Sequence, residues 1–275
     1  MTSIPLPAHT LTCYFVRHGE RVDHVDDEWV QTARTPYDPP LTPHGHKQAQ
    51  HTGALIHALE HHGNKDGTLA DTEYLVLTSP FQRCAQTAEA LAEGFLRQQK
   101  KRDTDKERWR VAVEPGLSEV ISEGYFTEQV PDAIISTCTE RMRRGSVTYD
   151  DEYAAARDVL PRYPEDFQQM MARFVSTLDC VASKMVGLRM QRRAQGLRDP
   201  RLVVVMVTHG AGVGALLWAT TMKPGSNNVD YCAVTRAEVL ARRTSRPLAR
   251  FGSSRIPAFS WTVGPYAYSG HTANL

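Results

Sequence analysis

Two histidines each follow directly on an apolar run that reads as a strand. Arg17-His18-Gly19-Glu20 closes the run Thr12-Cys13-Tyr14-Phe15-Val16, and His209-Gly210 closes Leu202-Val203-Val204-Val205-Met206-Val207-Thr208. Short runs rich in β-branched and aromatic residues are the signature of buried strands. A strand ending in Arg-His-Gly brings a cation, an imidazole and a closely approachable backbone to the sheet edge where open α/β folds take ligands. One such tripeptide carries little weight by itself. Two histidines delivered to one edge point to phosphoryl chemistry.

That chemistry sets requirements on the other residues. A histidine nucleophile must be neutral, aimed at phosphorus, and fixed in one tautomer by its second ring nitrogen. The phosphoryl group needs cations to absorb charge during transfer, and the planar fork of arginine suits its oxygens. Arg17 adjoins His18, and Arg83 follows Ser79-Pro80-Phe81-Gln82, in the first turn of a helix whose dipole also favours an anion. His209 completes the group. A departing oxygen needs a proton, for which Glu119 stands just past the short apolar run Val111-Ala112-Val113, with Glu114, Glu123 and Glu128 as rivals. Cys84 is expected to be a small buried residue packing its helix, because no Cys-x5-Arg loop surrounds it. His57 and His61 share a helix face four residues apart, a spacing that suits a metal. A solvated helix end, where positive charge complements the dipole, explains them and His62 as well.

The elements that must position these groups alternate between strand and helix, which predicts a three-layer α/β/α sandwich around a mostly parallel central sheet. Thr42-Pro43 reads as an N-cap with proline at the first helical position, opening a helix that runs to about His62 and stops at Gly63. Residues 74–79 read as a strand, and Ser79-Pro80 repeats the cap-plus-proline signal. After Pro164 the apolar positions Phe167, Met170, Met171, Phe174, Leu178, Val181 and Met185 form a core-facing helical stripe. A helix around Ala215-Leu216-Leu217 and a strand over Tyr231–Thr235 follow. The expected organisation is a single domain, with a core of about 10–121 and 165–240. A cap replaces a further βα unit at about 122–164, and a loosely packed tail covers about 244–275. Trp29, Arg34 and Tyr37 are placed at the pocket mouth or packing the loop after His18.

Composition excludes several function classes. The 275 residues carry a net charge of +1, with no broad basic surface for nucleic acid. No apolar run approaches the ~20 residues of a membrane span, and the N-terminus lacks the basic and apolar regions of a signal peptide. The five cysteines are scattered and never spaced Cys-x-x-Cys, so reduced thiols in the cytoplasm or nucleus are expected, with no cysteine zinc site.

The motifs Val16-Arg-His-Gly-Glu20, Ser79-Pro-Phe-Gln-Arg-Cys-Ala-Gln-Thr87 and Val207-Thr-His-Gly210 resemble those of the histidine phosphatase (phosphoglycerate mutase-like) superfamily, branch 1. They stand in that family's order and span roughly residues 10–220. With Arg21 and Val113-Glu-Pro-Gly-Leu-Ser-Glu119, the chain is most similar to eukaryotic phosphatases of the Sts and ecdysteroid-phosphate type. The resemblance implies His18 as a nucleophile forming phosphohistidine, and Arg17, Arg21, Arg83 and His209 as phosphate ligands. Glu119 would be general acid and then base, and no cofactor or metal is implied. The implied substrate is a small phosphate ester, aryl or hydrophobic, or phosphotyrosine. A homodimer is compatible with the family; nucleic acid and membrane are not expected partners. Two alternatives stay open at this point. One is a phosphatase-fold interaction module of weak activity, with the basic Arg141-Met142-Arg143-Arg144 solvating its cap. The other is a phosphoglycerate mutase, disfavoured because Arg21-Val22-Asp23-His24 and Glu119-Val120-Ile121-Ser122 depart from the mutase pattern.

Overall fold

The computed structural model describes residues 3–5, 11–63, 72–98, 109–123, 126, 133–155, 161–223, 229–243, 250–251, 254–255, 258–264, 268–273 and 275. In chain order its strands and helices are β1 (Ser3–Pro5), β2 (Thr12–Arg17), α1 (Trp29–Thr32), α2 (Pro43–Gly63), β3 (Thr72–Thr78), α3 (Gln82–Gln98), β4 (Trp109–Val113) and α4 (Ala133–Arg144). There follow β5 (Thr148–Tyr149), α5 (Phe167–Ala194), β6 (Arg201–Thr208), α6 (Gly210–Thr221), β7 (Val234–Arg243), β8 (Arg250–Phe251), β9 (Ser254–Arg255) and β10 (Phe259–Val263). The main sheet runs β1-β7-β2-β6-β3-β4-β5, with β10 also on β7. The pairs from β2 through β6, β3 and β4 to β5 are parallel, and β7 is antiparallel to β2.

Helices cover both faces, so these strands read as continuous apolar runs instead of alternating ones. One face sends Cys13, Phe15, Leu77, Val204 and Met206 against Phe174 and Leu178 of α5 and Leu216 of α6. The other sends Tyr14, Val16, Val76, Val205 and Val207 against Ile56 of α2 and Leu91 and Phe95 of α3. Burying each such side chain contributes about 1.5–3 kcal/mol, which fixes the strand register because a one-residue slip would turn every side chain to the other face. Helices α2 and α3 cross almost backbone to backbone: a Cβ at Gly94 would lie 1.9 Å from the Gln50 carbonyl oxygen.

Local signals account for several boundaries. The Thr42 hydroxyl accepts from the Gly45 amide (2.9 Å) with Pro43 as the first residue of α2, as the sequence predicts. Ser79 departs from expectation. Helix α3 starts at Gln82, whose amide donates to Asp38 Oδ1 (2.7 Å), so the cap comes from a distant loop. Asp166 caps α5 in a reciprocal capping box with Gln169. Met170, Phe174, Leu178 and Val181 are buried as the stripe requires, whereas Phe167, in the first turn, is 54 % exposed.

Two regional expectations need correction. The segment taken as a cap in place of a βα unit contains α4 and then β5, which pairs parallel with β4 and extends the sheet by one βαβ step. A two-residue strand carries no periodicity to read. The tail expected to be loosely packed contributes β10, antiparallel to β7, with Phe259 and Trp261 in the core. Strand β7 begins at Val234 and runs to Arg243, later than the sequence suggests. Among the described residues, no helix is long and apolar enough to cross a membrane.

Candidate functional site

Register builds the site. Strands β2 and β6 pair Arg17 with Thr208, so the next residue on each is a histidine and the two stand side by side. The His18 amide donates to the Thr208 carbonyl (2.9 Å), and the imidazole centroids lie 5.4 Å apart. Both side chains are buried. The loop after His18 sits hard on α2, since a Cβ at Gly19 would lie 2.5 Å from the Gly45 carbonyl oxygen. Its amides are tied down by side chains: Gly19 donates to Thr87 Oγ1 (3.0 Å) and Glu20 to Gln48 Oε1 (2.9 Å).

His18 Nδ1 lies 2.8 Å from the Gly19 carbonyl oxygen. A carbonyl only accepts, so this nitrogen carries the proton, and Nε2 keeps its lone pair. Burial, followed by the charges of Arg83 and Arg17, pushes the His18 pKa well below the ordinary histidine value. The imidazole is therefore neutral. His209 is lowered in the same way, first by burial and then by Arg83. Its Nδ1 accepts from Arg83 Nη2 (3.2 Å), which leaves the proton on Nε2, 2.9 Å from Ser79 Oγ. Phe81 meets His209 edge to face at 5.2 Å and lies under the Arg83 guanidinium at 4.6 Å. Cys84 lies 3.6 Å from His209 Nε2, fully buried, with its thiol pKa raised far above its ordinary value by burial. It packs the helix, as expected.

The structure brings five of the six sequence-predicted residues into one cluster. Glu119 Oε2 lies 3.3 Å from His209 Nδ1 and 3.7 Å from Arg83 Nη2. Arg17 stacks on the Tyr231 ring at 4.2 Å and donates through Nη1 to the Val229 carbonyl. The Nε groups of Arg17 and Arg83 are buried, and neither has a hydrogen-bond acceptor among the described residues. Buried N–H donors of this kind suit an anion. Arg21 sits at the margin: its guanidinium is held by Asp23 (Nε–Oδ1 2.9 Å, Nη2–Oδ2 2.5 Å), while its charge still opposes protonation of both histidines.

Two residues at the site escape sequence reasoning. Tyr231 lies 5.8 Å from His18 and is hydrogen-bonded to His24 Nδ1. Asp38, 3.8 Å from Arg83 Nη1, has its pKa raised to about 6 by burial, against the lowering pull of Arg83. Position in the turn just before β7, and position in an irregular loop, leave neither with a pattern to detect. Of the other candidates, Tyr37 packs with Phe81, Ile121, Phe126, Ile134 and Tyr163 in an aromatic cluster beside Arg83. Trp29 is half-buried in α1 and Arg34 is exposed. The His57 ring packs edge to face on Phe95 (4.9 Å). Among the described residues, no group of three or more His, Cys, Asp or Glu side chains is placed to hold a metal ion. Arg141, Arg143 and Arg144 pair with Glu89, Asp151 and Glu140 at the surface. Glu128 lies outside the described residues.

A mostly parallel sheet with helices on both faces, carrying paired histidines and arginines at the carboxyl ends of adjacent strands, defines an α/β protein with an anion-adapted edge. The chain belongs to the histidine phosphatase superfamily (branch 1), whose family model matches residues 13–246. Its fold is similar to that of the ecdysone phosphate phosphatase of Bombix mori, solved with tungstate, at 17 % identity and a TM-score of 0.53 over 89 % of this chain and 96 % of that one. It is similar also to phosphoglycerate mutase from Bacillus anthracis, at 13 % identity and a TM-score of 0.50 over 96 % and 95 %. No curated protein sequence matches the chain.

Proposed function

We propose that the protein is a metal-independent phosphomonoesterase that turns over through a phosphohistidine on His18. The observation that carries this is the His18 imidazole itself, neutral and with Nδ1–H committed to Gly19, so that the Nε2 lone pair is the one available for attack. Nε2 bonds to phosphorus as the bond to the leaving oxygen breaks, and that oxygen takes a proton from Glu119. The Glu119 carboxylate then removes a proton from water, the water oxygen attacks phosphorus, and the N–P bond breaks to release phosphate and neutral His18. Arg17, Arg83 and, from the margin, Arg21 hold the phosphoryl oxygens. The dianion favours protonation of His209, which Arg83 opposes in its absence.

The aromatic cluster of Phe81, Phe126, Tyr37 and Tyr163 beside Arg83, with Tyr231 over Arg17, favours an aryl or hydrophobic phosphomonoester, phosphotyrosine included. The arginines of α4, which would select a second anionic group, are turned to surface carboxylates. The similar Bombix mori protein is an ecdysone phosphate phosphatase. Five free cysteines support a reducing compartment, cytoplasm or nucleus. The test is kcat/KM for p-nitrophenyl phosphate and phosphotyrosine against 3-phosphoglycerate, with and without chelator. Preference for the aryl esters, unchanged by chelator, is expected. Preference for 3-phosphoglycerate, or transfer between its hydroxyls, would overturn the assignment in favour of a mutase.

A further inference from the structure

The loop carrying Glu119 is held by a group buried in the second turn of α5. Arg173 is 5 % exposed, and all five of its N–H donors are used. Nε and Nη2 donate to the two carboxylate oxygens of Glu165 (2.7 and 2.6 Å), a fork-to-fork pair. The other three bonds go to carbonyls of one short loop: Nη1 to Gly116 (2.8 Å) and Ser118 (3.0 Å), and Nη2 to Glu119 itself (3.2 Å). Glu165 is 4 % exposed, and its amide donates to the Ile121 carbonyl (2.8 Å), closing the bracket on the far side of Glu119. A buried ion pair is weak evidence for stability, because desolvation offsets most of its attraction. Its specificity for one loop needs another explanation.

We infer that Arg173, locked by Glu165, is a positioning residue for the proton-donating carboxyl, setting the backbone from which Glu119 reaches toward His209 and Arg83. The inference rests on the reading of Glu119 as general acid. It assigns the buried pair a role in leaving-group departure: its hydrogen bonds go to the Glu119 loop, and the Arg173 charge, which also opposes protonation of His209, is kept when lysine replaces it. Lysine cannot reproduce the fork, so Arg173→Lys keeps the charge and loses the geometry.

The experiment measures kcat/KM of the wild type, Arg173→Lys, Glu119→Gln and the double variant on an alkyl phosphate and on p-nitrophenyl phosphate, with inhibition by inorganic phosphate as the binding readout. Arg173→Lys should lose about tenfold or more on the alkyl ester and less than about threefold on the nitrophenyl ester, a fraction of the 10²–10⁴ that acid catalysis supplies. Phosphate inhibition should not move. The double variant should show no larger split between substrates than Glu119→Gln alone, because the two changes act through one carboxyl. If Glu119→Gln splits the substrates while Arg173→Lys loses equally on both, or weakens phosphate inhibition as much as rate, the positioning role is overturned and the acid assignment stands. If Glu119→Gln shows no split, both fall. Should Arg173→Lys fail to fold, as read by thermal unfolding, Glu165→Gln decides by the same split, since it leaves the carbonyl bonds in place and loosens only the lock.

Discussion

The two sides of the site are built by different means. His18 and His209 are placed by the sheet: parallel register sets them next to each other, and strands buried on both faces leave no freedom to slip. Glu119 follows a 3-10 turn, Pro115–Leu117, and lies in no strand. That turn is fixed by side chains from two other elements and by its own N-cap residue. Arg173 takes three of the loop's carbonyls, Thr208 Oγ1 donates to the Leu117 carbonyl (2.7 Å), and Glu114 Oε1 accepts from the Gly116 amide (3.0 Å). Tyr153 in turn donates to Glu114 Oε2 (2.7 Å). The nucleophile is thus held by backbone pairing and the proton donor by buried polar contacts. Damage to the first should abolish chemistry; damage to the second should grade it by leaving group.

The largest expected effect is on the sheet-borne side. His18→Ala should lower turnover by about four orders of magnitude or more on every substrate, because no neighbouring group replaces an in-line imidazole. Steady-state rates on p-nitrophenyl phosphate check this, and substantial residual activity would contradict it. On the loop-borne side, Glu119→Gln should cost about 10²–10³ on an alkyl phosphate and far less on p-nitrophenyl phosphate, whose leaving group barely needs a proton. Equal losses on both would pass the role to another carboxylate, with Glu123 the nearest in sequence.

Smaller effects sharpen the contrast. Thr208→Val keeps the shape of the β6 end and leaves the buried Leu117 carbonyl without its donor, for a loss of about 1–3 kcal/mol of stability. Denaturant unfolding should show it, together with a mild version of the leaving-group split. No change in either would mean that the turn holds itself.

Acid should act on the sheet-borne side. His18 and His209 are both held neutral by burial and neighbouring arginines, and His271 is lowered to about 4 by burial. As the pH falls through about 6.5 the unfolded chain gains protons on these rings and the folded chain does not, so stability falls with acidification from there. Asp38, raised to about 6, has the opposite sign, taking its proton in the folded state first. His24 and His46 are lowered too, burial first, so one group against five leaves a net loss. The midpoint of thermal unfolding should drop between pH 7 and 5, and a flat or rising midpoint would contradict the neutral assignment.

Legibility followed the same division. The strand-ending histidines, Arg83 in the first turn of its helix and the alternation of elements could be read from the chain, since apolar runs and turn residues encode them directly. Arg173 stands in an apolar helical stripe and Glu165 just ahead of it, and nothing in the spacing couples them to residues 116–119. Asp38, as the cap of a helix more than forty positions on, is equally silent. Ser79 reads as a cap and instead meets His209, because the helix starts at Gln82 with its cap supplied by Asp38. The tail reads as loose from its serines, prolines and glycines, yet Phe259 and Trp261 were enough to seat β10 in the core.

The central claim is the covalent bond between His18 and phosphorus. Enzyme mixed with radiolabelled aryl phosphate and quenched within one turnover should carry label that is stable to base and labile to acid, on the peptide containing His18. The Glu119→Gln variant, slowed in releasing phosphate, should retain more of it. Label on Ser79 or Cys84, or full turnover with no labelled enzyme at any quench time, would contradict the account.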